Sequence, residues 1–391
     1  MSNSRLRFPL LAAAILTLLA AMWGGLIRIG WHWPALSAAA VLSHGPLMVS
    51  GFLGTLIGVE RAVALRRRWT YIAPLLSGLG ALFILVDLGP LSSSGPWLIF
   101  FGSLGLSLVF LEIIRQHPAS YTYMMGTGAA CWLIGNSLWV SGRSIHEIVL
   151  WWAAFLILTI AGERLELGRF SHLTQQTEAL FLLIAGLLIA GLIVLLFFPD
   201  PGVRLVSAAV LGLAAWLYRF DIARRTIRKP GLPRFIAICL LSGYVWLAAA
   251  GVIGMVYGAV AAGLHYDALL HAIFLGFVFA MIFGHAPIIF PAVLGVPVTF
   301  RRQAYLYLGL FHLSLITRIT GDLAGFYPAR KWGGLFNGLA ILFFLGYTAY
   351  TILKAHRTPG ESKPEGGLSE QSGNLRRLDS SGIASQIGER R

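Results

Sequence analysis

Between Asp267 and Leu294 the chain reads DALLHAIFLGFVFAMIFGHAPIIFPAVL, an apolar stretch long enough to cross a bilayer as a helix, with His271 and His285 set in it. An imidazole carries protons and binds metals, and an ionisable group at membrane depth is costly enough to point to function. At about 100° and 1.5 Å per residue, fourteen residues place the two rings within roughly 40° of each other and about 21 Å apart along the helix. Each therefore needs partners from other helices at its own level. His44 opens a comparable stretch, HGPLMVSGFLG, in which Gly45, Ser50, Gly51 and Gly54 would let a flat group or another helix approach closely. Gly276 follows His271 in the same way. Two neutral imidazoles facing each other at one depth suit axial ligation of a haem iron; the plainer alternative is that each ring hydrogen-bonds a carbonyl or hydroxyl on a neighbouring helix.

Four further groups stand out. His312, in LGLFHLSLITR, is a candidate second metal ligand. Arg318 needs an anion, which a haem propionate or Asp322, four residues along the same helix, would supply. Glu60 and Glu163 each precede an arginine, Arg61 and Arg164. They read either as interfacial anchors or, with His285, as an inner polar cluster able to pass protons or lock helices. His146 and His265 fall at helix starts, whereas His32, His117, His172 and His356 fall in loops or the tail. The motifs of soluble nucleotide-binding, zinc-protease and serine-hydrolase chemistry are missing in any usable context.

The elements that must position these residues follow from composition. Of 391 residues, 57% are apolar and 12% charged, the balance of a polytopic membrane protein. The net charge of +14 is explained by basic cytoplasmic loops, so no nucleic-acid partner is expected. Cys131 and Cys239 lie in apolar runs and offer neither a disulfide framework nor a thiolate zinc site. Apolar runs predict twelve spanning helices: 8–27, 38–60, 71–89, 97–114, 121–140, 145–163, 178–198, 203–219, 235–257, 267–290, 303–321 and 335–354. Alternate loops carry the arginines, from Arg66, Arg67 and Arg68 to Arg301 and Arg302, while Arg330 and Lys331 fall in one of the poorer loops. Both termini are therefore expected in the cytoplasm, with the chain in the inner membrane and the bilayer as its partner. A membrane domain over 1–355 precedes a polar tail, 356–391, expected to be disordered.

Laid out this way, the helices repeat. FLGTLIGVER from Phe52, FLILTIAGER from Phe155 and FVFAMIFGHA from Phe277 each place a polar residue eight positions after the phenylalanine: Glu60, Glu163 and His285. Successive copies are four helices apart, so the all-α fold is expected to comprise three pseudo-symmetric four-helix units, with helices two, six and ten equivalent around a common axis. In that arrangement His44 and His271 lie toward the outer side and Glu60, Glu163 and His285 toward the inner side.

This pattern resembles the catalytic subunit of haem-copper oxidases and nitric oxide reductases. HGPLMVSGFLGTLIG and HAIFLGFVFAMI are similar, more closely, to the NnrS family of haem- and copper-containing membrane proteins tied to nitric oxide metabolism. The resemblance covers most of the membrane part and implies b-type haem held by His44 and His271, with copper as an open expectation. The chain departs from the oxidases in offering only His146 at the edge of helix six, no ligand on helix seven and no histidine pair near His271. An oxygen-reducing binuclear centre is therefore not implied. Twelve helices with repeats and buried ionisable groups also describe a secondary transporter of a small solute.

Overall fold

The computed structural model describes residues 4–86, 89–169, 173–294 and 300–357, and among these every regular element is helical. His172 and the tail beyond Arg357 lie outside the described residues. Twelve long helices follow one another: α1 (Ser4–Arg28), α2 (His44–Leu65), α3 (Arg68–Val86), α4 (Pro90–Gln116), α5 (Ser120–Val140), α6 (Ile145–Gly168), α7 (Gln175–Leu195), α8 (Pro199–Phe220), α9 (Leu232–Tyr257), α10 (Leu264–Pro291), α11 (Ala304–Leu323) and α12 (Tyr327–Arg357). Ten are long and apolar enough to cross a membrane. The other two, α5 and α11, match them in length but carry more polar residues, among them Asn136 on α5 and Arg318 and Asp322 on α11.

Two boundaries differ instructively from expectation. The α2 helix runs past Glu60 to Leu65 because Arg61 is taken up by carboxylates and does not seek water. The α12 helix begins at Tyr327, so Arg330 and Lys331 are helical rather than in a loop. Arg330 reaches acidic groups on α10 and α11, and Lys331 lies over the Trp31 ring at 4.6 Å. With Trp31 and Trp332 packed edge to face at 5.2 Å, this contact fastens the end of α1 to the start of α12. Such clustered tryptophans are at home at the headgroup level of a bilayer.

Sequence neighbours pack against each other throughout, and α1 closes the bundle by touching α2, α3, α10 and α12. The best-covered spans are α6, 78% buried, and α2 and α10, each 61% buried. These are the helices that share the phenylalanine-to-polar spacing. Aromatic rings fill the space between them. Phe52 of α2 meets Phe279 of α10 at 5.9 Å, and Phe155 of α6 stacks on Trp132 of α5 at 4.9 Å. The Trp132 indole donates to Ser50 Oγ at 3.1 Å, so the one polar atom of this large buried ring has its partner.

Periodicity did not foretell that α2 and α10 are π-helical in part, over Leu47–Gly54 and Ala272–Phe279. Aligning Phe52 with Phe277 brings these two segments into register, residue for residue. The matching stretch of α6 is ordinary α-helix. A π turn closes i→i+5 and is wider than an α turn, so the 100° phase that set His271 and His285 on one face does not carry across eight such residues. Accordingly His271 turns toward α2 and His285 toward α6.

Candidate functional site

Two layers of ionisable side chains lie inside the bundle, one at each end of α2 and α10. The first is built on His44 and His271. The chain enters α2 through a short helix, Ala38–Leu42, capped by the Ser37 hydroxyl and broken at Ser43, which leaves His44 at the first turn of α2. Its Nδ1 meets the Ala21 carbonyl oxygen at 2.7 Å, and Gly25 leaves room for the ring, since a Cβ there would collide with it. His271 Nδ1 meets the Asp267 carbonyl oxygen one turn back at 2.8 Å, and the Asp267 carboxylate lies 3.3 Å from the same nitrogen. Each Nδ1–H thus has an acceptor, the tautomer that leaves Nε2 with a free lone pair. The rings are nearly parallel, 21° between planes, with centres 6.4 Å apart.

Asp267 connects this pair to a charge network that sequence reasoning missed. It accepts from Arg318 Nη2 at 2.8 Å and lies 3.6 Å from Arg330 Nε, which is itself 2.8 Å from Asp322. The partner of Arg318 is therefore Asp267 on α10, and Asp322 is matched instead by Arg330 of α12. An apolar stretch that opens on an aspartate, with two arginines on the following helices, was the available signal. Arg318 is nearly buried, so its pairing with Asp267 makes an α10–α11 tie in place of the same-helix pair expected from spacing.

His312 does not join the histidine pair. Its Nδ1 accepts a hydrogen bond from the Trp246 indole at 3.1 Å, which places the ring proton on Nε2 and leaves neither nitrogen free to bind a metal in that state. Among the described residues no group of three or more His, Cys, Asp or Glu is arranged to hold a metal ion. Three of the four small residues singled out on α2, all but Gly45, are also accounted for by protein. Ser50 holds the Trp132 indole, a Cβ on Gly51 would meet Thr17 and Ala81, and a Cβ on Gly54 would overlap the Trp132 ring. They serve helix packing, and Gly276 likewise accommodates Trp246. His146 lines a cavity of ≈ 300 Å³ with Arg143, Glu147 and Tyr266, and His265 stacks on Tyr257 at 3.8 Å.

The second layer gathers Glu60, Glu163 and His285 through two arginines. Arg61 Nη2 bridges Glu60, at 3.2 Å, and Glu163, tying α2 to α6. Arg164 points the other way from its neighbour Glu163. It grips Asp221 with two nitrogens, Nε to Oδ2 at 2.7 Å and Nη2 to Oδ1 at 3.2 Å, and approaches His285 Nε2 at 3.5 Å. Asp221, at the end of α8, also accepts from the Ala223 N–H at 2.6 Å. His285 Nδ1 meets the Met281 carbonyl oxygen at 2.7 Å, which leaves Nε2 facing the guanidinium as an acceptor. Three helices with the same spacing thus end in one charged layer that also takes in α8. Asp221 escaped sequence reasoning because it sits in an arginine-rich loop, where it reads as one charge among many.

Over residues 7–353 the chain matches the family described as a domain of unknown function, DUF8744. It belongs to that family. The match spans all twelve helices, both polar layers included, so the family is defined by the membrane bundle and not by a small appended motif. No curated protein and no solved structure matches the chain.

Proposed function

We propose that this DUF8744 protein binds b-type haem between His44 and His271 and acts in nitric-oxide-linked or respiratory redox physiology, as its resemblance to the NnrS family implies. The observation that carries the reading is the geometry of the ring pair. Two Nε2 atoms each about 2 Å from a metal, with the ring radii added, put imidazole centres roughly 6 Å apart, close to the separation of 6.4 Å found. Both Nδ1 atoms face main-chain carbonyls, the arrangement that orients a metal-binding imidazole and raises its basicity. Arg28, exposed at the end of α1, is a cation available to acidic groups of a ligand, whereas Arg318 and Arg330 are held by Asp267 and Asp322. Bound haem would supply an iron that exchanges single electrons. The chain's own part is to fix the two rings, to hold Arg318 on Asp267, and to close the rest of the core with packed aromatic side chains. Copper finds no donor set among the described residues and is not part of the proposal.

In this reading the three helices with the shared spacing belong to three four-helix units, and the second polar layer faces the cytoplasm. The arginines at or just beyond the ends of α2, α4, α6 and α8 fall at that end, which supports the orientation and a place in the inner membrane. One observation favours a secondary transporter instead: π-helical stretches lie between the two charged layers, in the first half of α2 and near the middle of α10, and transporters interrupt their helices between such layers. An absorption spectrum of the detergent-purified protein separates the two. An intense Soret band at about one haem per chain supports the first, and a colourless, folded protein after haem supplementation supports the second.

A further inference from the structure

At the end of the bundle that holds the second polar layer, the last turn of α8 and the segment that follows it enclose a cavity of ≈ 760 Å³ with the first turn of α7. Arg219, Arg224, Arg225 and Arg228 line it, with Thr174 and Thr177 on the α7 side. All four arginines are exposed, and among the described residues none forms an ion pair. Among the described residues the one carboxylate lining the cavity, Asp221, is already held by Arg164 and by the Ala223 N–H. Arg219 and Arg224 rest their guanidinium groups against Phe220 and Tyr218 at 5.2 and 5.8 Å, which keeps the charges at the cavity mouth without neutralising them. Thr174 Oγ1 and Thr177 Oγ1 are 2.9 Å apart, a pair of hydroxyls at the start of α7.

We propose that this cavity is a binding site for the phosphate headgroup of an anionic glycerophospholipid. Basic loops are expected on the cytoplasmic side of any membrane protein, but that rule asks only for charge, not for four uncompensated guanidinium groups around one concavity. Basic pockets at the cytoplasmic ends of spanning helices are where acidic headgroups bind. A lipid is favoured over free phosphate because the walls are mixed: Leu173 and Phe220 line the same cavity, and Leu180, Leu183 and Tyr218 expose apolar surface along the two helices that lead away from it. Acyl chains would lie on that surface while the phosphate sits among the arginines. The site rests on charge and shape alone and is independent of haem.

The test uses the full chain in nanodiscs of phosphatidylcholine, with phosphatidylglycerol titrated in and bound lipid counted by native mass spectrometry. The expected result is saturation at about one tightly held phosphatidylglycerol. The variant Arg224→Gln/Arg225→Gln/Arg228→Gln should weaken binding on the order of a hundredfold, since each arginine near an anionic headgroup contributes roughly a fivefold factor. Its unfolding temperature in phosphatidylcholine alone should match that of the parent. Should that variant fail to fold, photo-crosslinking of the parent with a diazirine phosphatidylglycerol decides, and labelling should fall on residues 173–228. Unsaturable binding, equal affinity in the variant, labelling elsewhere, or equal retention of inorganic phosphate in place of the lipid would each overturn the proposal.

Discussion

At the scale of single residues, Asp267 decides how the first polar layer works. Its main-chain carbonyl and its carboxylate both face His271 Nδ1, and the same carboxylate holds Arg318. Removing one partner of a buried pair leaves the other charge without compensation, which costs about 3–5 kcal/mol. Asp267→Asn should therefore lower the thermal unfolding temperature of the purified protein markedly, whereas Asp322→Asn, which leaves the Asp267–Arg318 pair in place, should do less. Equal shifts in the two variants would show that Asp267 is not the centre of the network. The histidines themselves were legible in the sequence, because ionisable groups are rare in apolar helices and each has to be explained. Their partners were not. Asp267, Arg330 and Asp221 lie near helix ends, where a charge ordinarily faces water, and only the packing of α10 against α11 and α12 turns two of them inward.

At the scale of elements, the twelve helices could be read from apolar runs, and the observed ends differ where an ion pair let a helix continue, as at Arg61 and Arg330. The π-helical segments were not legible, since the same apolar composition serves α and π turns alike. What these segments do is bring small residues of α2 against bulky neighbours. Gly54 abuts the Trp132 ring, and no side chain can be added there without moving an indole that is stacked on Phe155 and bonded to Ser50. Overpacking of this kind costs about 1–3 kcal/mol. Gly54→Leu should destabilise the protein by that amount in thermal or denaturant unfolding. Gly186→Leu on α7, which meets nothing within 4 Å, should be nearly neutral. Matching effects at the two glycines would mean that the contact between α2 and α5 is loose. The repeat at Phe52, Phe155 and Phe277 marks three of the buried helices, and it is the packing of large rings between them that makes the spacing visible in the sequence at all.

At the scale of the whole molecule, α2 and α10 meet through histidines at one end, and α2, α6 and α10 are tied by arginines at the other, around an aromatic interior. The two arginines of the second layer differ in surroundings, and this gives a comparison. Arg164 and Asp221 are 4% and 1% exposed, while the carboxylates on Arg61 keep more than a quarter of their surface. Arg164→Gln strands Asp221 inside the protein and should cost about 3–5 kcal/mol. Arg61→Gln breaks a half-wet pair and should cost about 1 kcal/mol or less. Thermal unfolding of both variants in one detergent checks the order, and a larger loss for Arg61→Gln would reverse the roles assigned to the two. The proposed function rests on the other layer. The most direct measurement is the low-spin haem signal, by absorption and electron paramagnetic resonance, of the haem-supplemented parent and of His44→Ala, His271→Ala and His312→Ala, each purified from the membrane fraction. The predicted result is a low-spin signal in the parent and in His312→Ala that is lost in the other two while they remain inserted and monodisperse. A folded parent without the signal, or a signal that survives in both His44→Ala and His271→Ala, would contradict the assignment of this pair.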